Sequence, residues 1–219
     1  MPCGGSAVND LYYIAIEGVI GAGKTSLAKL MAKRLEARLV LEEAEVNPYL
    51  EDFYREPQRY AFQVQLFFLM SRYRQLLNLP QKDLFHPYLI ADYLFAKDKI
   101  FAYLNLEERD LVLYERVVHL LETELVRPDL VIYLQSNTER LIENIRKRNR
   151  KYEKQISPDY IRRLNEAYNT FFFRYQEAPL LVINTTEIDF VNDQADFDDL
   201  INQIMHPPSG VKYYIPKKG

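Results

Sequence analysis

The run Leu11-Tyr12-Tyr13-Ile14-Ala15-Ile16-Glu17, continued without a break by Gly18-Val19-Ile20-Gly21-Ala22-Gly23-Lys24-Thr25, decides the architecture. Its first part is apolar and rich in β-forming residues, as in a strand buried on both faces. Its second part fits G-x-x-x-x-G-K-[ST] and leads into a helix expected from Lys24 to about Ala37. Strand, glycine turn and helix form the setting in which this motif cradles phosphates. The glycines let backbone N–H groups turn inward, and the helix N-terminus adds partial positive charge. Gly18, Val19, Ile20, Gly21, Ala22 and Gly23 are thus candidate nucleotide-binding residues. Lys24 is placed for the β- and γ-phosphates and Thr25 for a magnesium ion. The same motif serves kinases, GTPases and motor ATPases. No Asn-Lys-x-Asp element for reading guanine occurs in the chain, which disfavours the GTPase reading.

The rest of the chain extends this pattern. Short apolar runs at Leu39–Glu42, Tyr88–Asp92, Leu130–Leu134 and Leu180–Asn184 read as four more strands. Helical stretches separate them at Pro57–Leu77, Leu106–Val126, Thr138–Arg148, Pro158–Gln176 and Ala195–Met205. Ser157-Pro158 supplies an N-cap followed by proline at the first helical position, and Asn137 a second polar helix start. Alternating strands and helices predict right-handed βαβ units in a three-layer α/β sandwich with a five-stranded parallel sheet. One domain over 11–205 is expected, with loose termini at 1–10 and 206–219.

Composition narrows the function classes. With 219 residues, 48% hydrophobic and 27% charged, the chain suits one well-buried soluble domain. A net charge of −3 disfavours a polynucleotide partner. The single Cys3 permits no internal disulfide and suits a reducing cytosol, so a cytoplasmic location is expected. No signal peptide is evident. The most apolar long stretch, Tyr60–Leu79, is interrupted by Gln63, Gln65, Arg72 and Arg74, so it is expected as a buried helix and no membrane partner is expected. His86, His119 and His206 lack ligand-like spacing.

Beyond the phosphate loop, Asn47-Pro48-Tyr49-Leu50, Tyr60-Ala61-Phe62-Gln63-Val64-Gln65 and Ile90-Ala91-Asp92-Tyr93 follow in order. Together with Ile16–Thr25 they resemble the deoxynucleoside kinase family, its bacterial deoxyguanosine and deoxyadenosine kinases in particular, from about Tyr12 to Met205. The resemblance implies a P-loop kinase fold, ATP as phosphate donor, Mg2+, a deoxyribonucleoside acceptor and a homodimer. It also implies site residues. Glu42 falls where the family keeps the carboxylate that takes the proton of the sugar 5′-hydroxyl; Glu43 and Glu45 compete for that place, and a surface acidic turn is the bland alternative. Tyr54 matches a tyrosine that bonds the 3′-hydroxyl. Gln65 and Arg72, seven residues apart, share one helix face. By resemblance Gln65 reads the base, its amide offering paired hydrogen bonds, while Arg72 pairs with Asp98 and orients it for a third contact to the base; an ordinary buried hydrogen-bond network is the competing reading. Asp92 matches the acid of the metal shell. Many relatives follow that acid with arginine, whereas this chain has Tyr93, which leaves the arginine's role unassigned. The run Arg146–Glu153 resembles the family lid, with Arg148 and Arg150 on the phosphates and Glu153 near the deoxyribose. A solvated basic helix end would carry similar residues.

Two other functions compete with deoxynucleoside phosphorylation. A nucleoside monophosphate kinase of the thymidylate kinase kind shares the loop and lid, but it needs cations for the acceptor's own phosphate. A non-catalytic nucleotide-binding module would need no base, metal ligand or lid.

Overall fold

A computed structural model describes residues 11–79 and 85–216. Six strands form one parallel sheet: β1 (Tyr13–Gly18), β2 (Arg38–Val40), β3 (Leu89–Ala91), β4 (Leu130–Gln135), β5 (Leu180–Asn184) and β6 (Val211–Tyr214). Their order is β2-β3-β1-β4-β5-β6, with every neighbouring pair parallel. Eight α-helices connect or flank them: α1 (Lys24–Arg34), α2 (Leu50–Arg55), α3 (Pro57–Leu77), α4 (Lys97–Asn105), α5 (Glu108–Glu122), α6 (Thr138–Arg148), α7 (Pro158–Phe173) and α8 (Gln194–Ile204).

The central strands show why the sheet is covered on both faces. Consecutive residues Ile14, Ala15 and Ile16, and likewise Leu130 to Leu134, are all buried, so neither side of the pleat meets water. Right-handed crossovers then account for the layers. The connection from β1 through α1 to β2 runs one way across the sheet, and those from β2 to β3 and from β3 to β4 run the other way, which sends their helices to opposite faces. Because the order turns at β1, the loops after β1, β2 and β3 open into one crevice at the carboxyl ends of the strands.

Helices α3 and α6 take the bounds expected for them, the first set by Pro57 at its first turn, the second by the Asn137 side chain accepting from the Arg140 N–H at 2.8 Å. The sheet is larger than expected. The sequence predicts a loose tail at 206–219, yet Val211–Tyr214 pairs along β5 as a sixth strand. Without it the polar backbone edge of β5 would lie open, and Val-Lys-Tyr-Tyr is a β-favouring run. The helix read over Leu106–Val126 is also revised: it runs only over Glu108–Glu122, and a separate helix α4 precedes it. The expectation for residues 1–10 lies outside the described residues. Among the described residues no helix is long and apolar enough to cross a membrane.

Candidate active site

The loops after β1, β2 and β3 wall a cleft of about 360 Å³, which α2, α3, α4 and the segment after α6 close from the other side. Of the residues proposed from sequence, Ile20, Gly21, Gly23, Lys24, Thr25, Glu42, Tyr54, Gln65, Arg72, Asp92, Arg148, Arg150 and Glu153 line it. Gly18, Val19, Ala22 and Asp98 do not; the first three form the buried base of the phosphate loop, and Asp98 stands behind Gln65, 1% exposed.

The phosphate end is built on backbone geometry. Gly21 and Gly23 have φ of 88° and 95°, a region that side chains rarely enter. A Cβ on Gly21 would come within 2.6 Å of the Leu141 carbonyl oxygen. Gly23 caps α1 with no side-chain acceptor, and no acidic residue lies in the first turn, so that helix end is left to an anionic ligand. Lys24 donates to the carbonyls of Gly18 at 2.6 Å and Val19 at 3.2 Å. Burial pushes its ammonium down to about 8, with Lys97 adding to the drop and Glu17 opposing it. Glu17 itself is fully buried and braces the loop: its carboxylate accepts from the N–H groups of Gly18 and Leu94, both at 2.9 Å, and from the Tyr168 hydroxyl at 3.2 Å.

Thr25 and Asp92 meet beside this loop. The Thr25 hydroxyl donates to Asp92 Oδ2, and the backbone N–H of Glu42 donates to Asp92 Oδ1 at 2.7 Å. A hydroxyl and one carboxylate, both oxygen donors, suit Mg2+, which keeps several waters and takes further ligands from phosphates. No group of three or more His, Cys, Asp or Glu side chains that could hold a metal ion occurs among the described residues.

Glu42 lies two residues beyond β2 and turns into the cleft. Arg72 Nε donates to its Oε1 and Lys97 Nζ to its Oε2, each at 2.7 Å. Burial alone would raise this carboxyl, but Lys97 and Arg72 outweigh it and hold the group well below the usual carboxylate range. Of the competing acids, Glu43 borders a separate groove on α3, while Glu45 lines the cleft from an exposed position with Arg150 3.7 Å away.

At the other end, Arg72 joins Glu42 to Asp98, its Nη1 meeting Asp98 Oδ1. The Gln65 amide nitrogen donates to the Asp98 carbonyl at 2.9 Å and to its carboxylate. Burial raises the Asp98 carboxyl, with Arg72 opposing. Since the amide nitrogen is committed to Asp98, Gln65 offers a ligand its carbonyl oxygen. This differs from the paired contacts expected from sequence, in which Asp98 would add a third bond to the base. Asp98 Oδ2 is buried without a hydrogen-bond partner.

The residues expected to form a lid also converge. Arg148 ends α6 and forms an ion pair with buried Glu153, which belongs to a 3-10 turn over Lys151–Gln155. Arg150 donates to the Tyr152 hydroxyl at 2.7 Å. The ring of Tyr54 packs near Phe53 and Tyr160, 5.3 and 6.4 Å between centroids.

Sequence reasoning missed Lys97. A buried lysine is rare, and the run Ala96-Lys97-Asp98-Lys99 reads as an exposed polar helix start. Its distance from Asp92 was the available signal: a cation one turn of chain beyond a strand-end acid, in otherwise apolar surroundings. Tyr93, by contrast, is fully buried in the core and brings no charge to the cleft.

Comparison with known proteins agrees with this geometry. The family profile for deoxynucleoside kinase matches residues 14–207. A deoxyguanosine kinase of Bacillus subtilis (strain 168) is 36% identical over 196 residues, spanning 87% of this chain and 95% of its own length. A deoxyadenosine kinase of Dictyostelium discoideum is 36% identical over 215 residues, spanning 90% of this chain and 85% of its own. The solved deoxyadenosine kinase from M. mycoides with bound dATP superposes with a TM-score of 0.76 at 27% identity, over 89% of this chain and 99% of that one. The matched span contains every residue placed in the cleft, and the chain belongs to the deoxynucleoside kinase family.

Proposed function

We propose that the protein transfers the γ-phosphoryl group of ATP, with Mg2+, to the 5′-hydroxyl of a purine deoxyribonucleoside. One observation carries the reading: Glu42 stands between the phosphate loop and the Gln65–Asp98 pair, so a single cleft offers a phosphate end, a carboxylate and a base-reading end in sequence. In the step, the 5′ O–H bond breaks and its proton passes to Glu42. The 5′ oxygen bonds to the γ-phosphorus while the bond from that phosphorus to the bridging oxygen breaks, its electron pair leaving with ADP. Lys24, Arg148 and Arg150 face the charge that spreads over the transferred group. A magnesium ion held by Thr25 and Asp92 would supply charge neutralisation on the phosphates. Kept charged by Lys97 and Arg72, Glu42 accepts the hydroxyl's hydrogen bond, aims the oxygen and takes the proton as the bond to phosphorus forms, in keeping with a loose transition state.

A nucleoside suits the acceptor end better than a monophosphate. Arg72 is already engaged by Glu42 and Asp98, and Lys97 by Glu42, which leaves neither for an acceptor phosphate. The carbonyl of Gln65 suits an exocyclic amino group, which favours deoxyadenosine, and relatives named for deoxyadenosine and deoxyguanosine support a purine. The resemblance extends the reading to a homodimer in the cytoplasm, checked by light scattering and by fractionation. A screen of the four deoxynucleosides and their monophosphates with ATP and Mg2+ tests the function. Purine deoxynucleosides are expected to lead, and preferential turnover of a monophosphate would refute the reading.

A further inference from the structure

Lys97 opens α4, is 3% exposed and points Nζ at Glu42 Oε2 from 2.7 Å. An ammonium buried so deeply carries a large desolvation penalty, and an apolar side chain of similar size would fill the space without it. Arg72, which holds the other oxygen, is shared with Asp98, so Lys97 also contributes to neutralising Glu42. Beyond charge, the second cation adds direction. The terminal torsion of a glutamate is broad, so one ion pair leaves the carboxylate plane free to turn. Opposed donors, one on each oxygen and carried by different helices, fix it. Arg72 is shared with Asp98 and lies over the Phe68 ring, 4.9 Å to its centroid. Lys97 makes its ion pair with Glu42 alone among the described residues.

We propose that Lys97 is a positioning residue for phosphoryl transfer, pinning the plane of the Glu42 carboxylate so that it stays aimed at the nucleoside 5′-hydroxyl. This rests on Glu42 being the proton acceptor of the proposed reaction. Lys97 acts through Glu42, so its loss is read in the transfer step and not in binding.

Lys97→Met keeps length and volume without the charge, and Glu42 retains Arg72. Steady-state kinetics with a purine deoxynucleoside and ATP should show kcat reduced on the order of 10²-fold, the scale of a misaimed catalytic group. Nucleoside and ATP KM should stay within about threefold of the parent, which is the signature of an interaction needed only in the transition state. Lys97→Arg should recover kcat to within roughly tenfold, since charge and reach are kept. Lys97→Gln serves as the second uncharged variant, with the same loss expected should the Met variant be recovered unfolded. The doubly substituted Lys97→Met/Glu42→Gln protein should be no slower than Glu42→Gln alone, whereas a purely structural lysine would add its loss in full. Parental kcat in both uncharged variants, a loss confined to KM, or additive losses would overturn the inference. Glu42→Gln run in parallel separates the two levels. Parental turnover there defeats the reading of Glu42 and this one with it; a slow Glu42→Gln beside a fast Lys97→Met defeats only the role of Lys97.

Discussion

Replacing Glu42 by glutamine probes the centre of the cleft most directly, because the amide keeps the shape and removes the charge. In the parent, both carboxylate oxygens accept charge-assisted hydrogen bonds at 2.7 Å, from Arg72 and Lys97. The amide oxygen can serve one of these donors, while the amide NH2 is turned towards the other. Removing one partner of a buried ion pair destabilises by about 3–5 kcal/mol when the remaining charge is left alone. Arg72 keeps Asp98, but buried Lys97 loses its ion pair, so the whole range applies, and at about 2–4 °C per kcal/mol for a domain of this size the melting temperature should fall by roughly 6–20 °C. Turnover should fall far more than that change in folding explains, by about 10²–10⁴-fold, the usual range for loss of a positioned proton acceptor. Nucleoside affinity should change little. The assay is coupled ADP release at 20 °C, with folding checked by circular dichroism and nucleoside binding by calorimetry. Glu43→Gln, on the neighbouring groove, is the control and should turn over at the parental rate. A Glu42→Gln protein that is folded, binds nucleoside and turns over within a few-fold of the parent would refute the argument, and a crippled Glu43→Gln would move the role by one residue.

Lys24→Ala should leave the fold intact and lower phosphoryl transfer by at least ~10²-fold, the loss expected when a transition-state charge donor goes; unchanged kcat would remove the loop from the mechanism. Asp92→Asn should raise the Mg2+ concentration for half-maximal activity by about 10–100-fold, since the residue touches both Thr25 and the Glu42 backbone. Equal metal titrations of mutant and parent would show that Thr25 and the phosphates suffice. Because burial pushes the Lys24 ammonium down to about 8, its charge is lost as pH rises through that value. ATP affinity measured by calorimetry should therefore weaken between pH 7 and 9.5, and a flat profile would count against Lys24 as the phosphate cation.

Much of this was legible in the sequence because it is encoded locally. The phosphate loop announces itself by glycine spacing, and β5 and α6 by apolar runs with polar or proline-marked ends. What escaped depends on partners distant in sequence. Val211–Tyr214 is a β-favouring run, but four residues become a strand only where β5 offers them an edge. Helix α4 is short, and its face is buried by α3 and α7, which only the tertiary fold brings near. Lys97 was hidden for the same reason: its buried state is set by Glu42, 55 positions away, and lysine by itself reads as solvated. Asp98 was found as a partner of Arg72 but assigned to the base directly, because spacing alone does not tell whether a side chain stands in front of Gln65 or behind it.

The placement of Arg72 has a consequence that reaches both ends of the substrate. Its Nε holds Glu42 and its Nη1 holds Asp98, so one guanidinium ties the transfer carboxylate to the residue that orients Gln65. Arg72→Met should therefore act twice. Glu42 keeps Lys97, so turnover should fall less than in Glu42→Gln. Asp98, buried and already raised by burial, loses its counter-charge and should take up a proton. The Asp98 backbone carbonyl still accepts, so Gln65 keeps one bond and its own oxygen still faces the base, but the charge-assisted tie to the carboxylate is lost and the amide is held less firmly. Nucleoside KM should therefore rise by about 10-fold, the scale of one hydrogen bond to a charged group, while ATP KM stays at the parental value. Steady-state constants for deoxyadenosine and ATP, on parent and variant under identical Mg2+, measure it. A variant with lowered kcat and parental nucleoside KM would show that Arg72 serves Glu42 alone and that Gln65 is oriented by something else.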